Sequence, residues 1–133
     1  MLNILFLKQD VTQSVGNVLV ENKVQTLVHL AFSLRQLRNR AMSTLLNVTG
    51  TRNILDSAVG SGVERIVVLS SSTVYGAHPG RGPEPITEDE SMAPVKGFNY
   101  AEDKVECEQY CSFLANQYPN VNLSILRSCI VLG

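Results

Sequence analysis

The sequence predicts an α/β domain, with a mostly parallel sheet that is covered by helices on both faces. Apolar segments of strand length alternate with helical segments along the chain, which is the order of β-α-β units. Residues 64–70 (ERIVVLS) contain four consecutive apolar residues, as a strand buried on both faces does. The 133 residues correspond to one domain, 1–133, and not to two.

The first half of the chain supplies two strands and two helices. Residues 2–7 are short and apolar and predict the first strand. A helix to about residue 22 follows, with Thr12 or Ser14 as its N-cap. Residues 24–31 (VQTLVHLA) predict a buried strand, and residues 37–59 carry apolar side chains at helical spacing. Two glycines, at positions 60 and 62, end this helix.

The second half adds a long loop between the strand 64–70 and the next helix. Residues 76–99 contain four of the five prolines, and a loop of this length in a compact domain is usually functional or mobile. Residues 100–118 predict a helix that ends before Pro119, and residues 121–127 (VNLSILR) predict the last strand. Because ligands of such sheets bind at the carboxyl ends of the strands, site residues are expected after each strand.

Composition excludes several classes of function. The net charge is −1 and the Lys and Arg residues form no dense patch, which argues against a nucleic-acid partner. No apolar run approaches the ~20 residues of a membrane span. Residues 1–7 have neither a basic leader nor a cleavage site, so they predict a strand and not a signal peptide.

The three cysteines indicate a reduced, cytoplasmic protein. An odd number of cysteines without a Cys-x-x-Cys pair is typical of this environment. Neither histidine has metal-ligand spacing around it, so no metal site is predicted. We expect all three side chains to be small buried hydrophobes: Cys107, Cys111 and Cys129.

The chemistry of the candidate site comes from hydroxyl groups and one ammonium group. Residues 70–76 (SSSTVYG) end a strand, and Tyr100 and Lys104 open the following helix, one turn apart on one face. Oxidation of an alcohol needs a base, and a free tyrosine, with a pKa of about 10, is too weakly ionised at neutral pH. A nearby ammonium favours the phenolate, and a serine hydroxyl can hold the substrate oxygen in line.

Seven short motifs follow one another over nearly the whole chain: Asp10-Val11, His29-Leu30-Ala31, Asn47-Val48-Thr49-Gly50-Thr51-Arg52-Asn53, residues 70–76, Thr87-Glu88-Asp89, Tyr100 to Lys104, and Leu126-Arg127 before Gly133. This series resembles the extended short-chain dehydrogenase/reductase family, the NAD-dependent sugar-nucleotide epimerases and dehydratases. The resemblance implies a Rossmann-like three-layer domain and NAD or NADP as the cofactor.

The resemblance also implies roles for individual residues. Tyr100 corresponds to the catalytic base, Lys104 to the residue that activates this base and binds the nicotinamide ribose, and Ser71 to the catalytic serine. The remaining correspondences are cofactor contacts: Asp10 and Val11 at the adenine, Leu30, Ala31 and Phe32 along the ribose and pyrophosphate, Asn47, Leu69 and Ser70 nearby, and Ser128 at the nicotinamide.

The sequence departs from the family pattern at both ends. It contains no Gly-x-x-Gly-x-x-Gly turn, which in the family precedes the helix that holds the pyrophosphate. We therefore expect a partial domain without the first βαβ segment, in which residues 1–7 pair beside the strand 24–31 or exchange between two chains. We also expect this chain to lack the C-terminal substrate domain of the family. Ile130 stands where the sugar-nucleotide epimerases usually carry Asn, which leaves room for a more apolar alcohol.

The predicted function is that of an NAD(P)-dependent epimerase, dehydratase or dehydrogenase, which acts on a sugar nucleotide or other secondary alcohol by tyrosine-assisted hydride transfer. In the family the helices that match 37–59 and 100–118 pair across a dimer axis, so a homodimer is expected. The alternative is a catalytically idle truncated fragment that folds and dimerises but binds cofactor weakly. A redox-sensing dinucleotide binder without catalysis is a third hypothesis.

Some of these residues also have simpler interpretations. A lone histidine among apolar residues, such as His29, is usually packed in the core. Asn53 can satisfy loop backbone groups. The three arginines that precede the helical segment can form a solvated helix end: Arg35, Arg38 and Arg40.

Overall fold

A parallel sheet is the centre of the computed structural model, which describes residues 4–34, 39–80 and 82–129. The strands of this sheet are β1 (Thr26–His29), β2 (Arg65–Ser71) and β3 (Asn122–Ser128), in the spatial order β1-β2-β3. The paired strands run in the same direction, so their carboxyl ends lie along one edge of the sheet. The predicted α/β class is confirmed, and β1 is shorter than the predicted strand 24–31.

The core covers the face of the sheet that carries Ile66 and Val68, which are 0% and 3% exposed. These side chains pack with Leu55 and Ala58 from the helix that precedes β2, because apolar residues at helical spacing present one apolar stripe to the strands. On the opposite face, two apolar side chains, Val28 and Leu126, are 55% and 54% exposed.

The predicted helix over residues 37–59 is interrupted. Helix α2 (Arg40–Thr44) leads into a π-helical turn (Leu45–Thr49), and α3 (Gly50–Gly60) follows. The predicted helical segment is helical from Arg40 to Gly60, but the prediction missed the π turn. A π turn holds an additional residue, which a pattern with a period of 3.6 residues cannot reveal. The predicted start at residue 37 lies outside the described residues.

The other two helices lie near their predicted positions. Helix α4 (Asn99–Gln117) matches the predicted helix 100–118, and α1 (Gly16–Glu21) is the shorter core of the predicted helix that ends near residue 22. Of the two predicted N-caps of α1, Thr12 is wrong. The N-cap position is Val15, and the Ser14 hydroxyl accepts from the N–H of Gly16 in the first turn at 3.3 Å. Thr12 instead bonds to Asp10, and the Ser14 hydroxyl contacts the Ser57 hydroxyl.

The predicted first strand, residues 2–7, is not a strand where the structure describes it. Residues 4–7 have no regular secondary structure, and Ile4 and Phe6 are 90% and 89% exposed. Residues 1–3 lie outside the described residues. Residues 4–7 therefore do not form the predicted pairing beside β1, and the described sheet contains only β1, β2 and β3.

The long loop after β2 begins at a position that requires glycine. A 3₁₀ turn (Ser72–Tyr75) leads into Gly76, which has a φ of +69°, and a Cβ there would lie 2.2 Å from the carbonyl oxygen of Ala93. The Ala93 N–H also donates to the carbonyl of Val74 at 2.9 Å. The loop therefore returns to the end of β2. The backbone at Ala93 can approach Gly76 closely because glycine has no side chain.

The cysteine prediction is correct for two of the three residues. Cys107 and Cys111 are buried in α4, and burial raises their pKa values to about 11 and about 12. Cys129 is exposed, because it follows the last residue of β3 and lies outside the core. Among the described residues, no helix is long and apolar enough to cross a membrane.

A short segment around Val11 is fixed against the start of α3. The Asn53 amide donates to the carbonyls of Val11, at 2.8 Å, and of Gln13. Asn53 therefore satisfies loop backbone, as one of its two interpretations predicted. Gly50 allows the close approach, since a Cβ at this position would lie 2.9 Å from Cγ2 of Val11.

Two glycines of α3 provide a matched test of this contact. Gly50→Ala should destabilise the protein by about 1 kcal/mol, because an overpacking cost of about 1–3 kcal/mol exceeds the gain of about 1 kcal/mol in helix propensity. Gly60→Ala meets no atom within 4 Å and should be neutral or stabilising. Urea unfolding of both variants measures the difference, and equal stabilities would contradict the proposed contact between Gly50 and Val11.

Candidate active site

The carboxyl ends of the strands and the first turns of α4 meet at one place in the structure. His29 pairs with Val68, and Ser71 pairs with Ser128, so the ends of the three strands are neighbours. Lys104 of α4 reaches the end of β2, where its ammonium donates to the carbonyl oxygen of Leu69 at 2.7 Å. The sequence motifs of three separate segments are thus brought together.

Lys104 is the most enclosed of the predicted catalytic residues. Its side chain is only 5% exposed, and its Nζ lies 3.7 Å from the ring centroid of Phe32. Burial lowers the pKa of Lys104, and the nearby Glu108 carboxylate opposes this shift. The ammonium is therefore held by a carbonyl dipole and an aromatic face, with donor capacity left for a ligand.

Tyr100 lies one turn before Lys104 in an aromatic group. Its ring meets Phe32 edge-on, with a centroid distance of 5.4 Å, and lies 5.8 Å from the ring of Phe98. The Lys104 ammonium is 5.8 Å from the centroid of the Tyr100 ring. The tyrosine is half-buried, so its ring is positioned by packing while part of the side chain is accessible to solvent.

The two serines at the end of β2 face opposite sides of the sheet, as successive strand residues do. The Ser71 hydroxyl accepts from the N–H of Thr73 at 3.3 Å and from its hydroxyl at 3.0 Å, and so caps the 3₁₀ turn. The Ser70 hydroxyl donates to the carboxylate of Glu108. Ser71 therefore retains its own hydroxyl proton for a substrate oxygen, whereas the Ser70 hydroxyl is committed to Glu108.

The turn after β1 carries three of the predicted cofactor contacts. Leu30 and Ala31 are exposed, and Phe32 is half-buried against Lys104. Ser33, which follows Phe32 in this turn, is held by Asn47 of the π turn. The Oδ1 of Asn47 accepts from the N–H of Ser33 at 2.8 Å, and its Nδ2 donates to the Ser33 carbonyl at 3.3 Å. Asn47 thus contacts the backbone of the turn that bears the predicted cofactor contacts.

Asp10 offers an exposed carboxylate in the segment that precedes α1. It accepts from the N–H of Thr12 at 2.9 Å and from its hydroxyl at 2.8 Å, and these bonds lower the pKa of Asp10. Val11, the second predicted adenine contact, is half-buried against α3. At the remaining strand end, the Ser128 hydroxyl donates to the carbonyl of Ser70 at 3.4 Å.

Sequence reasoning missed a buried ion pair behind the strand ends. Glu108 is 2% exposed and accepts from Arg127 through Nε at 3.0 Å and Nη2 at 2.7 Å. Arg127 also donates to the Tyr75 hydroxyl and, at 3.0 Å, to the carbonyl of Glu88. Glu108 and Arg127 are 19 positions apart on a helix and a strand, so no local spacing indicated this pair.

Arg40 begins α2 and its side chain is 41% exposed, as the interpretation of a solvated helix end predicted, but the interpretation missed its buried partner. Its guanidinium pairs with Asp103, whose side chain is 0% exposed, and a buried carboxylate needs such a partner. The carboxylate also accepts from Asn47 at 3.1 Å. The other two arginines of that interpretation, Arg35 and Arg38, lie outside the described residues. Within residues 4–34, 39–80 and 82–129, no group of three His, Cys, Asp or Glu side chains could hold a metal ion.

Comparison with known proteins gives a family match over almost the whole sequence. The model of the NAD dependent epimerase/dehydratase family matches residues 3–133. An uncharacterised protein of Mycobacterium tuberculosis is 28% identical over 132 residues, which are 96% of this chain and 35% of that protein. The chain therefore spans about a third of the length of the curated relatives it matches.

Solved structures share the fold. The UDP-Glc/GlcNAc 4-epimerase from Campylobacter jejuni superimposes with a TM-score of 0.78 and 23% identity, over 92% of this chain and 37% of the epimerase. A short-chain dehydrogenase/reductase superfamily protein from Agrobacterium tumefaciens, solved with bound NAD, has a TM-score of 0.70 and 30% identity, over 89% of this chain and 35% of its own.

His29 gives the site a measurable pH dependence. It is 7% exposed, its Nε2 lies 2.9 Å from the Thr51 hydroxyl, and burial together with repulsion from Lys104 lowers its pKa to about 4. This agrees with the interpretation of a core histidine. Between pH 6.5 and 4 the unfolded chain binds a proton that the folded chain does not, so stability rises with pH in this window and is lost as pH falls.

His29→Gln should remove this dependence, because its amide can meet Thr51 without titrating. Between pH 6.5 and pH 4, the free energy of unfolding of the wild type should fall by about 3 kcal/mol more than that of the variant, as a shift of about 2.5 pKa units implies. Urea unfolding across this range measures both curves. Parallel curves for the two proteins would show that His29 does not titrate as described.

Proposed function

Because the chain belongs to the NAD-dependent epimerase/dehydratase family, we propose that it carries the catalytic side of a site that oxidises a secondary alcohol with NAD or NADP. The observation that supports this most strongly is the placement of Lys104. Its ammonium, bonded to the Leu69 carbonyl at 2.7 Å, stands between the strand end that bears Ser71 and the helical turn that bears Tyr100.

The donors and acceptors present fit parts of a dinucleotide. One of the three N–H groups of Lys104 is used by the Leu69 carbonyl, so two can donate to hydroxyls of a ribose. The exposed Asp10 carboxylate and the adjacent Val11 supply an acceptor and an apolar contact for an adenine. The sequence contains no Gly-x-x-Gly-x-x-Gly turn for the pyrophosphate, so the fit is limited to the two ends of the cofactor.

In the proposed mechanism the bound nicotinamide supplies the acceptor for a hydride. The Ser71 hydroxyl donates to the substrate oxygen and orients it. Tyr100, as the phenolate, takes the proton of the substrate hydroxyl. The Lys104 ammonium, 5.8 Å from the centre of the Tyr100 ring, stands beside this group, where it can donate to the ribose hydroxyls of the cofactor.

The proposed substrates are sugar nucleotides or other secondary alcohols. Solved relatives include UDP-sugar 4-epimerases, which favours a nucleotide sugar. Ile130, the residue that suggested a more apolar alcohol, lies outside the described residues. The proposal therefore includes both substrate classes.

The missing glycine-rich turn also favours an alternative. Backbone N–H groups at a helix N-terminus contribute about 1.5–3 kcal/mol per hydrogen bond to a charged acceptor, so their loss weakens cofactor binding by orders of magnitude. In this alternative the chain folds and dimerises but is catalytically idle.

Titration with NAD⁺ and NADP⁺ in a calorimeter separates the two proposals. Wild type should bind one of them saturably, and Lys104→Met should raise Kd by about tenfold or more, as loss of hydrogen bonds from a charged donor implies. Lys96→Met, an exposed lysine in the loop before α4, is the matched control and should leave Kd unchanged. No heat from the wild type up to millimolar cofactor would support the idle fragment.

We also propose that two chains associate through the surface formed by residues 37–59 and 100–118, as the sequence suggested. Large apolar side chains on this surface are exposed: Met42 by 47%, Leu45 by 42% and Phe113 by 53%. The Phe113 ring stacks on Tyr110, which widens the apolar surface. Such a surface is typical of a subunit interface.

Phe113→Asp should therefore weaken dimerisation by about 10- to 100-fold, as loss of about 1.5–3 kcal/mol of apolar burial implies. Sedimentation velocity over a concentration series measures the dimer constant. Val20→Asp, at a residue that is 58% exposed on α1, is the control and should not change it. A monomeric wild type, or equal effects of both variants, would contradict the proposed interface.

A further inference from the structure

We propose that Asp103 is a positioning residue of the active site, which holds the turn after β1 against Tyr100 and Lys104. This inference rests on the function proposed above. Asp103 lies between these two residues in α4, and its side chain is 0% exposed. It therefore does not meet a ligand, and any effect on the site must pass through other residues.

The carboxylate of Asp103 is surrounded by donors. Arg40 donates through Nη1, Ser43 through its hydroxyl at 3.4 Å, and Asn47 through Nδ2 at 3.1 Å. An ionised carboxylate accepts hydrogen bonds and cannot donate them. The charge of Asp103 is thus compensated, and only the Nδ2 end of the Asn47 amide can face it.

This constraint determines the orientation of Asn47. With Nδ2 directed to Asp103, the Oδ1 atom is left to accept from the Ser33 N–H at 2.8 Å. In the reversed amide, Nδ2 would meet the Ser33 N–H as donor to donor, and Oδ1 would face the Asp103 carboxylate as acceptor to acceptor. The Ser33 carbonyl, which accepts from the same Nδ2 at 3.3 Å, requires the same orientation. The carboxylate therefore supports from behind the amide that holds the turn.

The turn in question carries Phe32, the neighbour of Ser33. The Phe32 ring lies 3.7 Å from the Lys104 ammonium and edge-on to Tyr100 at 5.4 Å. Asp103, through Asn47 and Ser33, thereby fixes the aromatic side chain that covers the two proposed catalytic groups. A carboxylate without a ligand contact thus controls the geometry of the site.

A purely structural role would have a different basis, namely the ion pair between Asp103 and Arg40, which ties α4 to α2. Asp103→Asn breaks the donor and acceptor pattern while keeping the shape of the side chain. Glu106→Gln is the matched control on the same helix: it replaces a carboxylate paired with Arg52 at 2.8 Å, and Glu106 does not contact Asn47.

The test combines these variants with the double variant Asn47→Asp/Asp103→Asn. In the double variant the carboxylate stands at position 47, where it can accept from Ser33 and from the new amide at position 103. Hydrogen exchange of the Ser33 amide, followed by NMR, reports the turn without any cofactor. The Kd for NAD⁺, measured by calorimetry, reports the affinity of the proposed site for its cofactor.

In Asp103→Asn, the hydrogen exchange of the Ser33 amide should be about tenfold faster and the Kd for NAD⁺ about tenfold higher, as loss of a hydrogen bond to a charged group implies. Glu106→Gln should change neither. The double variant should recover part of both losses, because the carboxylate at position 47 accepts from the Ser33 N–H but cannot donate to the Ser33 carbonyl. The proposal is overturned if Ser33 exchanges alike in Asp103→Asn and Glu106→Gln, or if the double variant is no better than the single one.

Two further outcomes are also decisive. If Asp103→Asn does not fold, Ser33 protection in the double variant near the wild-type value supports the proposal, and an unprotected Ser33 overturns it. If the wild type does not bind NAD⁺, the proposed function fails, while exchange at Ser33 still decides the role of Asp103.

Discussion

The burial of three charged side chains on one helix is the constraint on which the rest of this structure depends. Asp103, Lys104 and Glu108 of α4 are 0%, 5% and 2% exposed. A buried charge is tolerated only when partners replace the lost water. The partners here come from different elements: Arg40 at the start of α2, the Leu69 carbonyl of β2, and Arg127 of β3. Compensating these charges therefore joins the sheet, the interrupted helix and α4 into one arrangement.

The same compensation prepares the chemistry of the strand ends. Glu108 takes the hydroxyl of Ser70, so of the two adjacent serines only Ser71 keeps a free proton on the other face of the sheet. Burial and, to a smaller extent, repulsion from Lys104 lower the pKa of His29 to about 4, so this imidazole is neutral beside the Lys104 ammonium at neutral pH. Packing and electrostatics thus select which of several similar groups is available to a ligand.

The sequence allowed the α/β class and the parallel direction of the strands to be predicted, because the alternation of strands and helices is a local signal. It did not reveal the π turn at Leu45–Thr49, since an additional residue leaves no mark on apolar spacing. Nor did it reveal the pairing of Arg40 with Asp103, which are 63 positions apart. Apolar character alone also predicted a strand at residues 2–7, but strand formation needs a neighbour that a one-dimensional pattern does not contain.

The contact between Arg40 and Asp103 has a consequence for how this sequence can change over time. Losing Arg40 leaves the buried Asp103 carboxylate with only neutral donors, Ser43 and Asn47, whereas losing Asp103 leaves an arginine that is 41% exposed and can be solvated. Viable descendants are those in which positions 40 and 103 mutate together, or in which position 103 becomes neutral first and Asn47 adapts. The two positions should covary among close homologues, whereas the more exposed pair of Arg52 and Glu106 is free to drift independently.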